Sequence, residues 1–328
     1  MKITVSLRRV LLSCLAALAS CAVGLPAVAD TWPSKPVKLI VPFPPGGGND
    51  VFARELAHAL QKRLGQAFIV DNRAGAAGNI GISAAAKAPP DGYTLLVVSN
   101  TLVTNPGLSA NAPYDVYKDF IPISLAANLP VALITGPQMQ QKTVKDLLAY
   151  VKEHPGKVTY GTAGMGSPHH LTTEYFASKA GVQLLHVPFK GQGQIVPELL
   201  AGRVDMAFLA IASAMQFLPT GKLHGLAIAG KQRTPIAPNL PTLAEAGLPD
   251  VSIDWWLGVL APAGTHKNIV QELSAAIMAV CQQPEFKERL AQQGIDAIGS
   301  SPAQFAEILK EEVPRWRQVV KEAGIKAE

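Results

Sequence analysis

Apolar and polar positions along the chain switch between two periods. Residues 37–43 form a β-branched apolar run that ends in Pro44-Pro45-Gly46-Gly47-Gly48. From Asp50 to Leu64 the period becomes helical, with Phe52, Leu56, Ala59 and Leu60 on one side and Gly65 as the stop. A short strand is predicted over 67–71 and a helix over 79–88, closed by Pro89-Pro90-Asp91-Gly92; the unbroken apolar run 93–99 suits a strand buried on both faces. Two apolar runs follow, 121–126 and 130–135, with no helix fitting between them. The rhythm then restarts. Helices are predicted over 143–154, from Ser167-Pro168 onward and over 194–201, and strands over 158–161, 183–189, 204–209 and 223–229. A last strand over 253–261 precedes helices over 266–281, 285–293 and 301–321, the last expected to break at Pro314. Repeated strand–helix units predict an α/β body of mostly parallel sheets with helices on both sides. Two crossings predict two lobes joined by a hinge: 30–129 with 253–328, and 130–252.

The first residues follow another plan. Lys2, Arg8 and Arg9 precede an apolar run over 10–19, and Ala27-Val28-Ala29 is a small-x-small sequence before Asp30. That order predicts a secretory leader over 1–29, removed after Ala29. Leu18-Ala19-Ser20-Cys21 resembles a lipoprotein box, so lipidation at Cys21 is the alternative processing. Ser13, Ser20, Gly24 and Pro26 argue against a membrane anchor, which needs about 20 mostly apolar residues. Removing the leader takes away three of 29 basic residues, so the formal charge falls from +5 to +2 against 24 acidic residues. No Lys/Arg cluster interleaved with aromatics remains, which excludes a nucleic-acid partner. A chain of 328 residues that is 48% hydrophobic has a large core and is not disordered, and three cysteines make no disulfide scaffold. Cys281, the thiol left in the mature chain, lies among Ile277, Met278 and Val280 on a predicted helix, where a buried structural role is expected.

In open α/β sheets, ligands bind beyond the carboxyl ends of the strands. Two loops there stand out. In Pro42–Asp50, three glycines let the backbone approach a ligand and aim amides at it, and the following helix start suits an anion. No Gly-Lys-Ser/Thr follows, so it is not a nucleotide P-loop. In Gly161-Thr162-Ala163-Gly164-Met165-Gly166-Ser167-Pro168-His169-His170 the same plan recurs with added hydroxyls. Its spacing is not that of a dinucleotide loop. Adjacent histidines on a helix point about 100° apart, which disfavours a shared metal; one is expected to pack or cap and the other to face the cleft. Phe189-Lys190-Gly191 ends another strand, and Asp205 begins one, where it could reach a ligand or cap a loop. Ser167, His169 or His170, and Asp205 supply the residue types of a secreted serine hydrolase, the alternative function. Yet no G-x-S-x-G elbow surrounds Ser167, which explains itself as a helix cap.

These segments also carry a family likeness. Pro36 to Gly48 with Asp50, Asp71-Asn72-Arg73-Ala74-Gly75-Ala76-Ala77-Gly78, Asp91-Gly92-Tyr93-Thr94-Leu95, Gly161 to Leu171, Val187-Pro188-Phe189-Lys190-Gly191, Pro241 to Gly247 and Ala261 to Thr265 resemble, in order, the substrate-binding receptors of tripartite tricarboxylate transporters, the Bug family. The resemblance implies a two-lobed periplasmic binding protein type II fold. It implies capture of a small carboxylate between the lobes and its delivery to membrane permease subunits. No cofactor or metal is expected, and the receptor is expected to be monomeric. One carboxylate end would be held, partly through water, by the loops carrying Phe43, Pro45, Gly46, Gly47 and Asp50 and Thr162, Ala163, Gly164, Gly166, Ser167 and His170. Phe189 and Lys190 adjoin them. Asn100, Asp205 and the region of Trp255-Trp256 would meet the other end.

Overall fold

The computed structural model describes residues 32–108 and 112–325; the leader, its cleavage after Ala29 and lipidation at Cys21 lie outside the described residues. Six strands form one sheet in the order β11 (Asp296–Ala297), β4 (Phe120–Leu129), β10 (Trp255–Pro262), β3 (Thr94–Ser99), β1 (Val37–Val41) and β2 (Phe68–Asn72). Five form a second: β7 (Leu185–Pro188), β6 (Thr159–Thr162), β8 (Met206–Ala210), β5 (Val131–Thr135) and β9 (His224–Ile228). The chain passes from the first sheet to the second at Pro130 and returns between β9 and β10. Parallel pairing holds for β1 with β2 and β3, and for β6 with β7 and β8. The crossing strands run antiparallel: β10 with β3 and β4, and β5 with β8 and β9. A chain that leaves a sheet and re-enters it at the same end must do so on strands of opposite direction.

Nine helices are found among the described residues: α1 (Gly48–Leu64), α2 (Asn79–Ala86), α3 (Thr101–Leu108), α4 (Val144–Glu153), α5 (Pro168–Ala180), α6 (Ile195–Leu200), α7 (Lys267–Gln282), α8 (Pro284–Gln292) and α9 (Pro302–Glu322). Local chemistry sets most of their ends. The Thr143 hydroxyl accepts the Asp146 amide at the start of α4, Ser167 does the same for His170 before Pro168, and Ser301 with Gln304 closes a capping box on α9. Two helices depart from expectation. Helix α3 contains Pro106 and has no helical pattern of its own; it is secured by packing against α9. Helix α9 runs unbroken through Pro314. The proline faces solvent, while Phe305, Leu309, Val313, Trp316 and Val320 form one buried stripe whose packing outweighs the missing backbone bond.

One apolar cluster runs through both sheets, joining Leu96 and Val98 of β3, Leu133 of β5, Phe176 of α5, Trp256 of β10 and Trp316 of α9. The Trp256 and Trp316 indoles both donate to the buried Glu312 carboxylate, at 2.8 and 3.3 Å. A second cluster, with Ile134, Ile195 and Leu209, fills the other face of the five-stranded sheet. Cys281 is fully buried, with its thiol toward the Ala126 carbonyl.

Candidate functional site

The loop after β1 is braced from behind by a polar ring. Asp50, in the first turn of α1, is buried. Its Oδ2 accepts the Gly46 amide at 2.9 Å and Arg54 Nε at 2.9 Å, and its Oδ1 accepts Asn72 Nδ2 at 2.9 Å. Asn72, at the end of the neighbouring β2, donates also to the Phe43 carbonyl and accepts from Arg54 Nη2 at 3.1 Å. Burial would raise the Asp50 carboxyl, but the Arg54 guanidinium and the Gly46 and Asn72 donors outweigh it and hold it below the usual range. Gly46 has φ +86°, a conformation that favours glycine. Pro45 and Gly47 are exposed, and Gly47 caps α1 with no side-chain bond, so the amides of the first turn have no side-chain acceptor.

The loop after β6 is braced by a different network. Gly164 and Gly166 take φ of +111° and +71°. The Thr162 hydroxyl accepts the Gly164 amide at 3.2 Å and meets His186 Nε2 at 2.6 Å. The Gly166 amide donates to His170 Nδ1 at 3.0 Å, which puts the His170 proton on Nε2. The His170 and His186 rings stack at 4.1 Å, and Tyr160 stacks on His186 and donates a short hydrogen bond to Glu174. Burial pushes both imidazoles down to about 4, so both are neutral in neutral solution. The two histidines therefore put no cation at this loop, and its Gly164 and Gly166 amides are already donated to Thr162 and His170. Ala163 sits half-buried between Thr162 and Gly164, and the Phe189 amide donates to the Thr162 carbonyl, which sets the β7 loop alongside.

The remaining expected residues fall less evenly. The Lys190 side chain is exposed, and its amide donates to Gln194 Oε1. Asn100 is buried, and its carbonyl accepts the amides of Val103 and Thr104 as α3 begins. His169 does not face solvent: it packs edge-on against Trp255 at 4.8 Å. Asp205 is the clear correction. It precedes β8, which runs parallel to β6, so it lies at the amino end of the sheet, opposite the glycine loops. Its carboxylate accepts the Thr159 amide and hydroxyl, both at 2.7 Å, and Gln138 Nε2 at 3.1 Å. It braces two strand starts, and the structure does not assemble Ser167, a histidine and Asp205 into a hydrolytic set.

Sequence reasoning missed Arg54, Asn72 and His186. Arg54 had a signal, four residues after Asp50 on one helix. Asn72 and His186 reach the loops only through strand pairing. Among the described residues, no group of three or more His, Cys, Asp and Glu could hold a metal ion, and no helix is long and apolar enough to cross a membrane.

Comparison with known proteins agrees with this geometry. A family model described as the tripartite tricarboxylate transporter family receptor matches residues 52–325. Protein BugT of Bordetella pertussis is 38% identical over 311 residues, covering 94% of this chain and 95% of that protein. A solved R. palustris structure with adipate has a TM-score of 0.77 and 35% identity, covering 90% of this chain and 99% of its own. MatC from Rhodopseudomonas palustris with bound malate has a TM-score of 0.73 and 33% identity, covering 88% and 100%. Loops, fold and relatives converge: the chain belongs to the tripartite tricarboxylate transporter receptor family.

Proposed function

We propose that this receptor captures a small organic carboxylate in the periplasm, holds it with the loops after β1 and β6, and hands it unchanged to membrane permease subunits. It works as a monomer of two lobes, 30–129 with 253–328 and 130–252. The observation that carries the reading is the bracing of both loops. Asp50, Arg54 and Asn72 occupy one another behind the first, and Thr162, His170 and His186 do so behind the second. The loop backbones are thus held in shape by groups that do not themselves need the ligand, with the Gly46, Gly164 and Gly166 amides spent in that bracing. A neutral cradle binds a carboxylate without burying an unpaired cation when the site is empty, and the free amides of a helix start attract negative charge. Adipate and malate in the two related structures support a short aliphatic acid as the class. Phe43, Pro45, Gly46, Gly47, Thr162, Ala163, Gly164, Gly166 and Ser167 form the cradle in this reading; Asn100, Phe189 and Lys190 border it, and Asp50 and His170 position it.

A thermal-shift panel of aliphatic and aromatic carboxylates tests the proposal. An acid at 100 times its Kd adds about 2.7 kcal/mol of stability, and mass spectrometry should recover it unchanged. Gly47 has φ −81° and nothing nearer its Cβ position than the Pro44 carbonyl at 4.0 Å, so Gly47→Val should fold normally. Its side chain would stand where the anion sits and abolish binding. Normal binding by this variant, or turnover of a bound acid, would refute the reading.

A further inference from the structure

A cavity of about 790 Å³ lies across the crossing strands from the two glycine loops, and no residue of either loop lines it. Its walls come from β4, β11 and α9 on one side and from residues 230–236, after β9, on the other. Strand alternation separates it from the loops. Leu129 points to the start of α1, where a Cβ on Gly48 would lie 2.8 Å from its Cδ2, whereas the preceding Asn128 lines the cavity. Thr234 donates to Asp296 at 3.1 Å and ties the two walls together.

The chemistry of this cavity is unfinished. Asn128 Oδ1 and Arg315 Nε are both buried without a hydrogen-bond partner, one an acceptor and the other a donor. Asp254 lies beside them; the bond it receives from Asn128 Nδ2 is long, at 3.4 Å. Arg315 uses its terminal nitrogens on Glu312 and on the Ser252 carbonyl at 3.4 Å, which leaves Nε free for a further acceptor. Lys231 is exposed at the rim. Buried polar atoms in folded proteins are nearly always partnered, by protein, water or ligand, so a donor and an acceptor that no protein group satisfies mark where a polar occupant of this cavity would bind. A simple anion would face Asp254 and the Asn128 acceptor. A simple cation would leave the Arg315 donor unmet and face Lys231.

We propose that this cavity is a second binding site for a small zwitterion of the amino-acid type, its ammonium between Asp254 and Asn128 Oδ1 and its carboxylate toward Arg315 Nε and Lys231. The site is separate from the glycine loops and stands whether or not those loops hold a carboxylate.

Calorimetric titration of the purified protein with glycine, L-alanine and β-alanine tests it, with methylammonium and acetate as single-charge controls. The same titrations are run on Gly47→Val, Asp254→Asn and Gly230→Ala. A Cβ on Gly230 would lie 2.6 Å from Asp254 Oδ1, so Gly230→Ala displaces the carboxylate without changing the charge. The expected result is saturable binding of at least one zwitterion by the wild type and by Gly47→Val. Both cavity variants should weaken it at least tenfold while keeping a native circular dichroism spectrum, and the controls should bind at least tenfold more weakly. If Asp254→Asn fails to fold, Gly230→Ala decides. No saturable binding of any zwitterion overturns the proposal. So does binding lost in Gly47→Val but kept in the cavity variants, and so do controls that bind as well as the zwitterions.

Discussion

Replacing Asp50 by Asn isolates the bracing of the first loop, because the two side chains have the same shape. The carboxylate presents acceptors on both oxygens: one to Gly46 and Arg54, the other to Asn72. An amide has one acceptor oxygen, so whichever way it lies, its NH2 group confronts a donor. Turning Asn72 over does not relieve this, since its oxygen already accepts from Arg54 Nη2. At least one charge-assisted hydrogen bond is lost, worth about 1.5–3 kcal/mol. If the freed loop must be reordered when the ligand binds, that becomes roughly a 10- to 100-fold rise in Kd, at about 1.4 kcal/mol per decade. Calorimetric titration of the tightest carboxylate from the thermal-shift panel, with a urea denaturation curve alongside, measures both effects. A Kd within about threefold of wild type would refute the claim that this ring preorganises the loop. The same carboxyl is held below its ordinary 3.8 in the folded protein. Its contribution is therefore complete above that value and disappears only as pH falls through the lower folded one.

Three further outcomes are expected. Gly258→Ala puts a Cβ 2.3 Å from Cζ of the fully buried Phe305, and overpacking of this kind costs about 1–3 kcal/mol; an unchanged urea midpoint would contradict it. His169, His170 and His186 are each pushed down from 6.5 to about 4 by burial. Between these values the unfolded chain holds more protons than the folded one, so their contribution to stability falls as pH drops from 6.5 to about 4. Their imidazole NMR signals should stay in the neutral form to below pH 5, and titration near 6.5 would contradict the burial. Burial pushes the Cys281 thiol up to about 12. An aromatic disulfide reagent at pH 8 should then leave it unlabelled until the chain unfolds, and rapid labelling of the native protein would contradict the assignment.

Much of the fold was legible because its signals are local. The run 37–43 and the glycines after it mark the strand and loop at β1, and Ser167-Pro168 marks the start of α5. Helix α3 was not legible. Nothing in Thr101–Leu108 insists on a helix, and Pro106 argues against one; α9, some two hundred residues later, supplies the packing surface. Pro314 misled for the complementary reason: a local breaker was overridden by a long buried stripe on its own helix.

The candidate site divides along the same line. By itself the sequence determined where backbone could approach a ligand, because glycine acts at its own position and strand ends follow from short-range periodicity. Only the tertiary structure decided who stands behind those glycines. Asn72 reaches Asp50, and His186 reaches Thr162, because β2 lies beside β1 and β7 beside β6. The same strand order carried Asp205 to the far end of its sheet, against Thr159. Partnership of this kind is set by which strands become neighbours, and hydrophobic periodicity, which reports a residue's face but not its neighbour, does not encode it.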